Sequence, residues 1–132
     1  MGVRLGVMRR FGTDPDSWAS ELREAGFRAA VCPVEFDAPD DEVRAYERAA
    51  RDSDILISEV GAWSNPLSRD EKTRSEALEK CKKALNLADR IGANCCVNIS
   101  GSPGERWDGH DPANLTPETF DLIVETVRGI ID

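Results

Sequence analysis

The chain has 132 residues and a mass of 14.5 kDa, with 17 basic against 25 acidic side chains and a formal charge of −8. That is one domain's length of chain, and 40% hydrophobic with 32% charged residues excludes a disordered tail. No apolar run approaches the roughly 18 residues needed to cross a bilayer, and Met1-Gly2-Val3-Arg4-Leu5 lacks the layout of a secretory signal, so a cytoplasmic location is expected.

Four strand-then-helix units follow one another. The first strand is expected over residues 3–8, with the turn Arg9-Arg10-Phe11-Gly12 behind it. Asp14-Pro15 opens the first helix, an N-cap acceptor followed by proline at the first helical position. Trp18, Leu22 and Ala25 share one face of that helix, and Gly26 stops it. The second strand, residues 29–34, leads to a helix opening near Asp40 with Val43, Tyr46 and Ala50 on one side. The third strand, residues 55–60, begins Ile55-Leu56-Ile57. A loop with Trp63, Asn65 and Pro66 then runs to Ser68-Arg69-Asp70-Glu71, which reads as a capping box between Ser68 and Glu71. The long helix beyond carries Leu78, Cys81, Leu85, Ala88 and Ile91 as its apolar stripe and ends at Gly92. After the fourth strand, residues 95–100, comes a Gly/Pro-rich loop. Thr116-Pro117-Glu118 then starts a last helix whose stripe is Phe120, Ile123, Val124, Val127 and Ile131.

Such alternation demands right-handed crossovers and a parallel sheet in an α/β fold, with no linker dividing the single domain over residues 1–132. Two architectures satisfy it. One is a small open, doubly wound α/β sheet. The other is four βα units of a parallel (β/α)8 TIM-type barrel, whose full circuit needs about 250 residues.

The acidic balance argues against nucleic acid as a partner, since displacing counterions from phosphates needs a basic surface. The longest basic cluster, Lys80-Cys81-Lys82-Lys83, reads as a solvated helix face. Cys32, Cys81, Cys95 and Cys96 show no CxxC spacing, and with His110 as the single histidine they do not supply a closed zinc site. They read as reduced, buried thiols.

In either architecture, ligands meet the carboxyl ends of the strands. Arg9, Arg10 and Phe11 follow the first strand, and Glu35 and Asp37 the second. From the later ends come the substrate-binding candidates Glu59, Trp63, Asn65, Asn98, Trp107 and His110. Indole faces cover the apolar side of a sugar while amides and carboxylates satisfy its hydroxyls, so this set suits a small polyhydroxylated sugar or polyol. Glu59 shares the strand face of Ile55 and Ile57, a depth at which a carboxylate needs a partner or a ligand. His110 has the chemistry of a general base or metal ligand but lies in the loop Asp108-Gly109-His110-Asp111-Pro112. Cys95-Cys96 has no neighbouring histidine to activate a nucleophile. Gly101-Ser102-Pro103-Gly104 matches neither the dinucleotide nor the phosphate-loop spacing.

The run Ala84-Leu85-Asn86-Leu87-Ala88-Asp89-Arg90-Ile91-Gly92-Ala93-Asn94-Cys95-Cys96-Val97-Asn98-Ile99-Ser100-Gly101 resembles the sugar phosphate isomerase/epimerase family, with its xylose isomerase-like βα barrel. Arg4-Leu5-Gly6-Val7-Met8 and Glu59-Val60-Gly61-Ala62-Trp63-Ser64-Asn65-Pro66 are similar too, in the same order along the chain. The resemblance implies an amino-terminal half-barrel ending at Asp132, with the family's Glu, Asp, His and Glu metal ligands on later strands. It implies a divalent metal (Mn, Mg, Co or Zn) in the full-length relative and none held by this half. The chemistry implied is aldose–ketose isomerisation or epimerisation by proton transfer next to a carbonyl, with this half inactive alone. An endonuclease-like DNA repair branch of the same superfamily is the alternative, disfavoured by charge because Arg9, Arg10 and Arg106 are the only basic residues at the mouth. A third expectation is a non-enzymatic half-barrel that associates with itself through open sheet edges.

Overall fold

Strand and helix alternate from Gly6 onward in the computed structural model, which describes residues 3–132. Met1 and Gly2, where the amino-terminal expectation begins, lie outside the described residues. The elements are β1 (Gly6–Val7), α1 (Pro15–Glu24), β2 (Ala29–Ala30), α2 (Asp40–Asp52), β3 (Leu56–Ile57), β4 (Val60–Ala62), α3 (Glu71–Ile91), β5 (Cys96–Asn98) and α4 (Pro117–Ile131). A 3-10 turn spans Pro112–Leu115 before the last helix. The chain divides into two compact units: the residues up to Gly61 with Ala84–Cys96, and Ala62–Lys83 with Val97–Asp132.

Strand order separates the two expected architectures. β1, β2 and β3 form a parallel sheet in that order, with Gly6 opposite Ala29 and Ala29 opposite Leu56. A doubly wound sheet reverses its order at a switch point, whereas a barrel keeps each strand between its sequence neighbours. The order β1–β2–β3 is common to both, and it is the next neighbour that replaces the open-sheet alternative by βα-barrel order: the backbone of residues 94–95 bonds to Ile57 and Val60, so the fourth expected strand lies beside the third and not beside the first. The strand expected as one piece over residues 55–60 is split. β3 pairs with β2, and β4 pairs with β5 in a second sheet. At the break, the Ser58 hydroxyl (3.0 Å) and amide (2.8 Å) both donate to the Ala30 carbonyl, so a side chain doubles the backbone bond where the ladder stops. On the other edge Asn94 donates to Ile57 O at 3.1 Å and Val60 to Cys95 O at 3.0 Å.

The core of the first unit takes most of the apolar set that the first two helix patterns predict, with Ala25 left exposed. Trp18, Leu22, Val43, Tyr46, Ile55 and Ile57 are buried, joined by Leu87 and Ile91. The Trp18 and Tyr46 rings meet edge to face at 5.6 Å, the geometry that aromatic quadrupoles favour. Asp14 caps α1 by accepting from the amides of Asp16 (3.1 Å) and Ser17 (3.0 Å). At α3 the expected cap moves. The helix starts at Glu71, and Asp70, not Ser68, takes the Thr73 amide at 2.8 Å. Asp70-x-x-Thr73 thus does the work expected of Ser68 and Glu71, and Ser68 Oγ accepts from the Asp70 amide instead (3.2 Å).

Three apolar expectations fail in an informative way; on α3, Leu85 of the expected stripe is exposed while Ala84 and Leu87 are buried. Phe120 and Ile131 on α4 are 65% and 64% exposed, because an amphipathic stripe is buried only where a facing layer exists. Leu5 and Met8 are likewise exposed beside β1, the edge of its sheet. Of the thiols expected to be buried, only Cys81 is; Cys32 and Cys96 are half-buried and Cys95 is exposed. Among the described residues no helix is long and apolar enough to cross a membrane.

The amino-terminal side of the first sheet is closed by charge. Asp54, at φ +55, accepts from Arg4 at 2.8 Å and pairs with Arg28 at 3.4 Å. Hydrogen bonding from Arg4 and its charge, aided by Arg28, hold the Asp54 carboxyl below the usual carboxylate range. The Ser17 amide and hydroxyl do the same to Asp14, and the Thr73 hydroxyl and amide to Asp70. A carboxyl depressed in the folded state binds its proton less readily there than in the unfolded chain. Stability is then present above the unfolded pKa and is lost as pH falls. Urea midpoints are expected to hold steady from neutral pH and drop below about pH 4, with Asp54→Asn showing a shallower drop.

Candidate functional site

In the second unit, three of the candidate residues border one cavity. Trp63 follows β4 directly, and Trp107 hangs from the loop beyond β5. With Asn65, Thr73, Glu76 and Lys80 they line a space of about 340 Å³, the size class of small-molecule sites. Both indoles are offered to solvent, Trp63 at 49% and Trp107 at 46% exposure. Lys80 Nζ donates to the Trp63 carbonyl at 2.8 Å and so ties the first indole's backbone to α3. Thr73, Glu76 and Lys80 were not among the candidates, Lys80 having been read as part of a solvated face. Their spacing (positions 73, 76, 77 and 80 with Ala77) is a single helical stripe and was the available signal.

Asn65 spends its amide on backbone. Its Oδ1 accepts from the amides of Ser102 (2.9 Å) and Leu67 (3.2 Å), and its Nδ2 donates to the Ser102 carbonyl at 2.9 Å. Ser102 is itself buried, and its hydroxyl donates to Asn114 Oδ1 (2.7 Å) while accepting from the Gly104 amide (3.0 Å). Asn65 thus pins the loop that follows β5. Asn98, at the end of β5, is half-buried, and its Oδ1 accepts from Cys81 Sγ at 3.2 Å. Burial pushes the Cys81 thiol up, which keeps the proton that this hydrogen bond requires. His110 is exposed and does not line the cavity.

Glu59 belongs to the first unit and is half-buried, with its carbonyl accepting from the Cys32 amide at 2.9 Å. That unit has a cavity of its own over the carboxyl ends of β1 and β2, of about 330 Å³. Arg9, Phe11, Cys32, Glu35, Glu42 and Tyr46 are among its walls. Arg10 and Glu35 form a charge-assisted pair at its rim, and Arg9 stands 5.6 Å over the Phe11 ring. Burial raises the Cys32 thiol and the Tyr46 phenol above their ordinary values. Trp18 and Tyr46, read from sequence as core alone, serve as core and wall together.

Parallel strands in sequence order, with cavities fed by the loops that follow them, define a barrel-type α/β protein. The chain belongs to the xylose isomerase-like TIM barrel family, which it matches over residues 19–132. It is similar in fold to a candidate xylose isomerase from Rhodospirillum rubrum, at 19% identity and a TM-score of 0.66, over 98% of this chain and 48% of that one. It is also similar to the 3-keto-D-glucoside 4-epimerase YcjR from E. coli, at 12% identity and a TM-score of 0.61, over 96% of this chain and 47% of that one. The chain spans about half the length of each. Among the described residues no three of His, Cys, Asp and Glu converge to hold a metal ion, so these residues by themselves do not fit the family's divalent metal.

Proposed function

We propose that this chain forms the sugar-holding amino-terminal part of a sugar isomerase or epimerase, with the substrate ring held between Trp63 and Trp107. The observation that carries the reading is the convergence of those two indoles on one cavity with Glu76 and Thr73. Stacked indoles cover the C–H face of a pyranose or furanose, while a carboxylate and a hydroxyl accept and donate at its rim. Family membership supports it, as do the names of the two similar structures, an isomerase and an epimerase of sugars. The reaction would be aldose–ketose isomerisation or epimerisation by proton transfer next to a carbonyl. Within this chain the work is binding and orientation, with Asn65 holding the loop that carries Trp107 towards its place.

Titration with aldoses and ketoses, followed by tryptophan fluorescence, tests the reading. Saturable quenching is expected, and Trp63→Ala and Trp107→Ala are each expected to weaken binding about tenfold, near 1.4 kcal/mol. No turnover is expected from the isolated chain with Mn or Mg. A panel without any saturable response, or binding that survives both substitutions, sinks the proposal.

A further inference from the structure

We propose that the cavity of the first unit is a second ligand site, for a small zwitterion of amino-acid size whose carboxylate is taken by Arg9 and whose ammonium faces Glu42. The inference does not depend on the sugar reading, which concerns the other unit.

The argument starts from what the walls have left to offer. Four charged side chains border the space: Arg9, Arg10, Glu35 and Glu42. Arg10 and Glu35 are closed on each other. The start of α1 is closed as well, since Asp14 takes the amides of Asp16 and Ser17, and the Gly12 amide is spent on Glu21 Oε2 at 3.0 Å. No free backbone donor is left there for an anion. What stays open is one cation and one anion. Arg9 has the Phe11 ring as its recorded partner and no carboxylate among the described residues. Glu42, in the first turn of α2, has no cation among them and lies near enough to the Tyr46 phenol to help raise its pKa.

Arg9 comes from the loop after β1 and Glu42 from α2, so the two charges belong to different walls. A ligand of one sign would meet attraction at one wall and repulsion at the other. A zwitterion answers both. The planar guanidinium fork grips a carboxylate through two parallel N–H bonds. Phe11, with Val34 and Pro33, supplies apolar surface for an uncharged side chain, and a cavity of about 330 Å³ admits one the size of leucine or phenylalanine.

Cys32 lines the same cavity and gives a reporter. Its alkylation by N-ethylmaleimide can be followed peptide by peptide in the intact chain, with the exposed Cys95 as internal reference. L-leucine or L-phenylalanine is expected to slow reaction at Cys32 saturably by roughly fivefold or more, without change at Cys95. Two single-charge analogues, 4-methylpentanoate and isopentylamine, are expected to give less than about twofold protection at the same concentration. Arg9→Gln and Glu42→Gln alter exposed side chains, and each is expected to abolish protection by the amino acids. No protection by either amino acid overturns the proposal. So does equal protection by 4-methylpentanoate, or protection that persists in Glu42→Gln.

Discussion

Replacing Gly12 with alanine is expected to cost at least about 3 kcal/mol, most of it from collision with backbone. Gly12 sits at φ +54, and a Cβ there would lie 2.3 Å from the Trp18 nitrogen and 2.7 Å from the Ser17 carbonyl carbon. Those atoms cannot step aside as a side chain would. The Trp18 amide is bonded to Asp14 O at 2.9 Å in the first turn of α1, and Asp14 is the cap of that turn. Relief therefore requires moving the start of the helix, which loosens the cap and the Trp18–Tyr46 contact together. Gly26 provides the control. It has φ +84 but nothing within 4 Å of where a Cβ would sit, so Gly26→Ala should cost only the left-handed strain, about 1–2 kcal/mol. Urea midpoints of the two variants measure the difference. A Gly12→Ala variant no less stable than Gly26→Ala would mean that the loop after β1 does not pass so close to α1. The same variant should lose ligand protection at Cys32, because Gly12 also lines that cavity.

What the sequence made legible was local. Asp14-Pro15 and Gly26 bracket α1 because a cap, a proline and a left-handed stop act within one turn. Strand order was not legible, since the same alternation of elements serves an open sheet and a barrel; only the bonding of residues 94–95 to Ile57 and Val60, which sets the fourth strand beside the third, decides. The cap of α3 was misplaced by two residues because Ser68 and Asp70 are both good acceptors, and the helix starts where Asp70 can reach the Thr73 amide. The α4 stripe was legible from its spacing, but its burial was not, because burial depends on what faces it. At the candidate sites the aromatic residues stood out in the sequence, Trp63 and Trp107 above all. The α3 stripe of Thr73, Glu76 and Lys80 did not, because charged positions on a helix normally face only water. Asn65 was legible as a polar residue near a strand end, but two of its three backbone bonds reach Ser102 in a loop far along the chain, beyond any local pattern.

Those bonds set the second large effect. Asn65→Ala is expected to destabilise the chain by about 3 kcal/mol, because it strands buried backbone groups and does not merely remove favourable contacts. Leu67 and Ser102 are both buried, and the substitution leaves two amides and one carbonyl there without the partner they now have. Gly101→Ala should cost a similar amount by a related route. Its φ is +88, and a Cβ would fall 2.3 Å from Asn65 Oδ1, 3.0 Å from Pro66 Cδ and 3.1 Å from the Leu67 nitrogen. The nearest of these collisions is with the side chain that Asn65→Ala deletes. The two losses are therefore not additive: the double variant should be about as stable as the worse single one, an interaction energy of about 3 kcal/mol in a double-mutant cycle. Strict additivity of the urea midpoints would show that Asn65 and Gly101 do not meet as described. Sugar binding separates this role from direct contact. If Asn65 acts by holding the loop that bears Trp107, Asn65→Ala and Gly101→Ala should weaken the fluorescence response alike, although Gly101 has no side chain with which to touch a ligand.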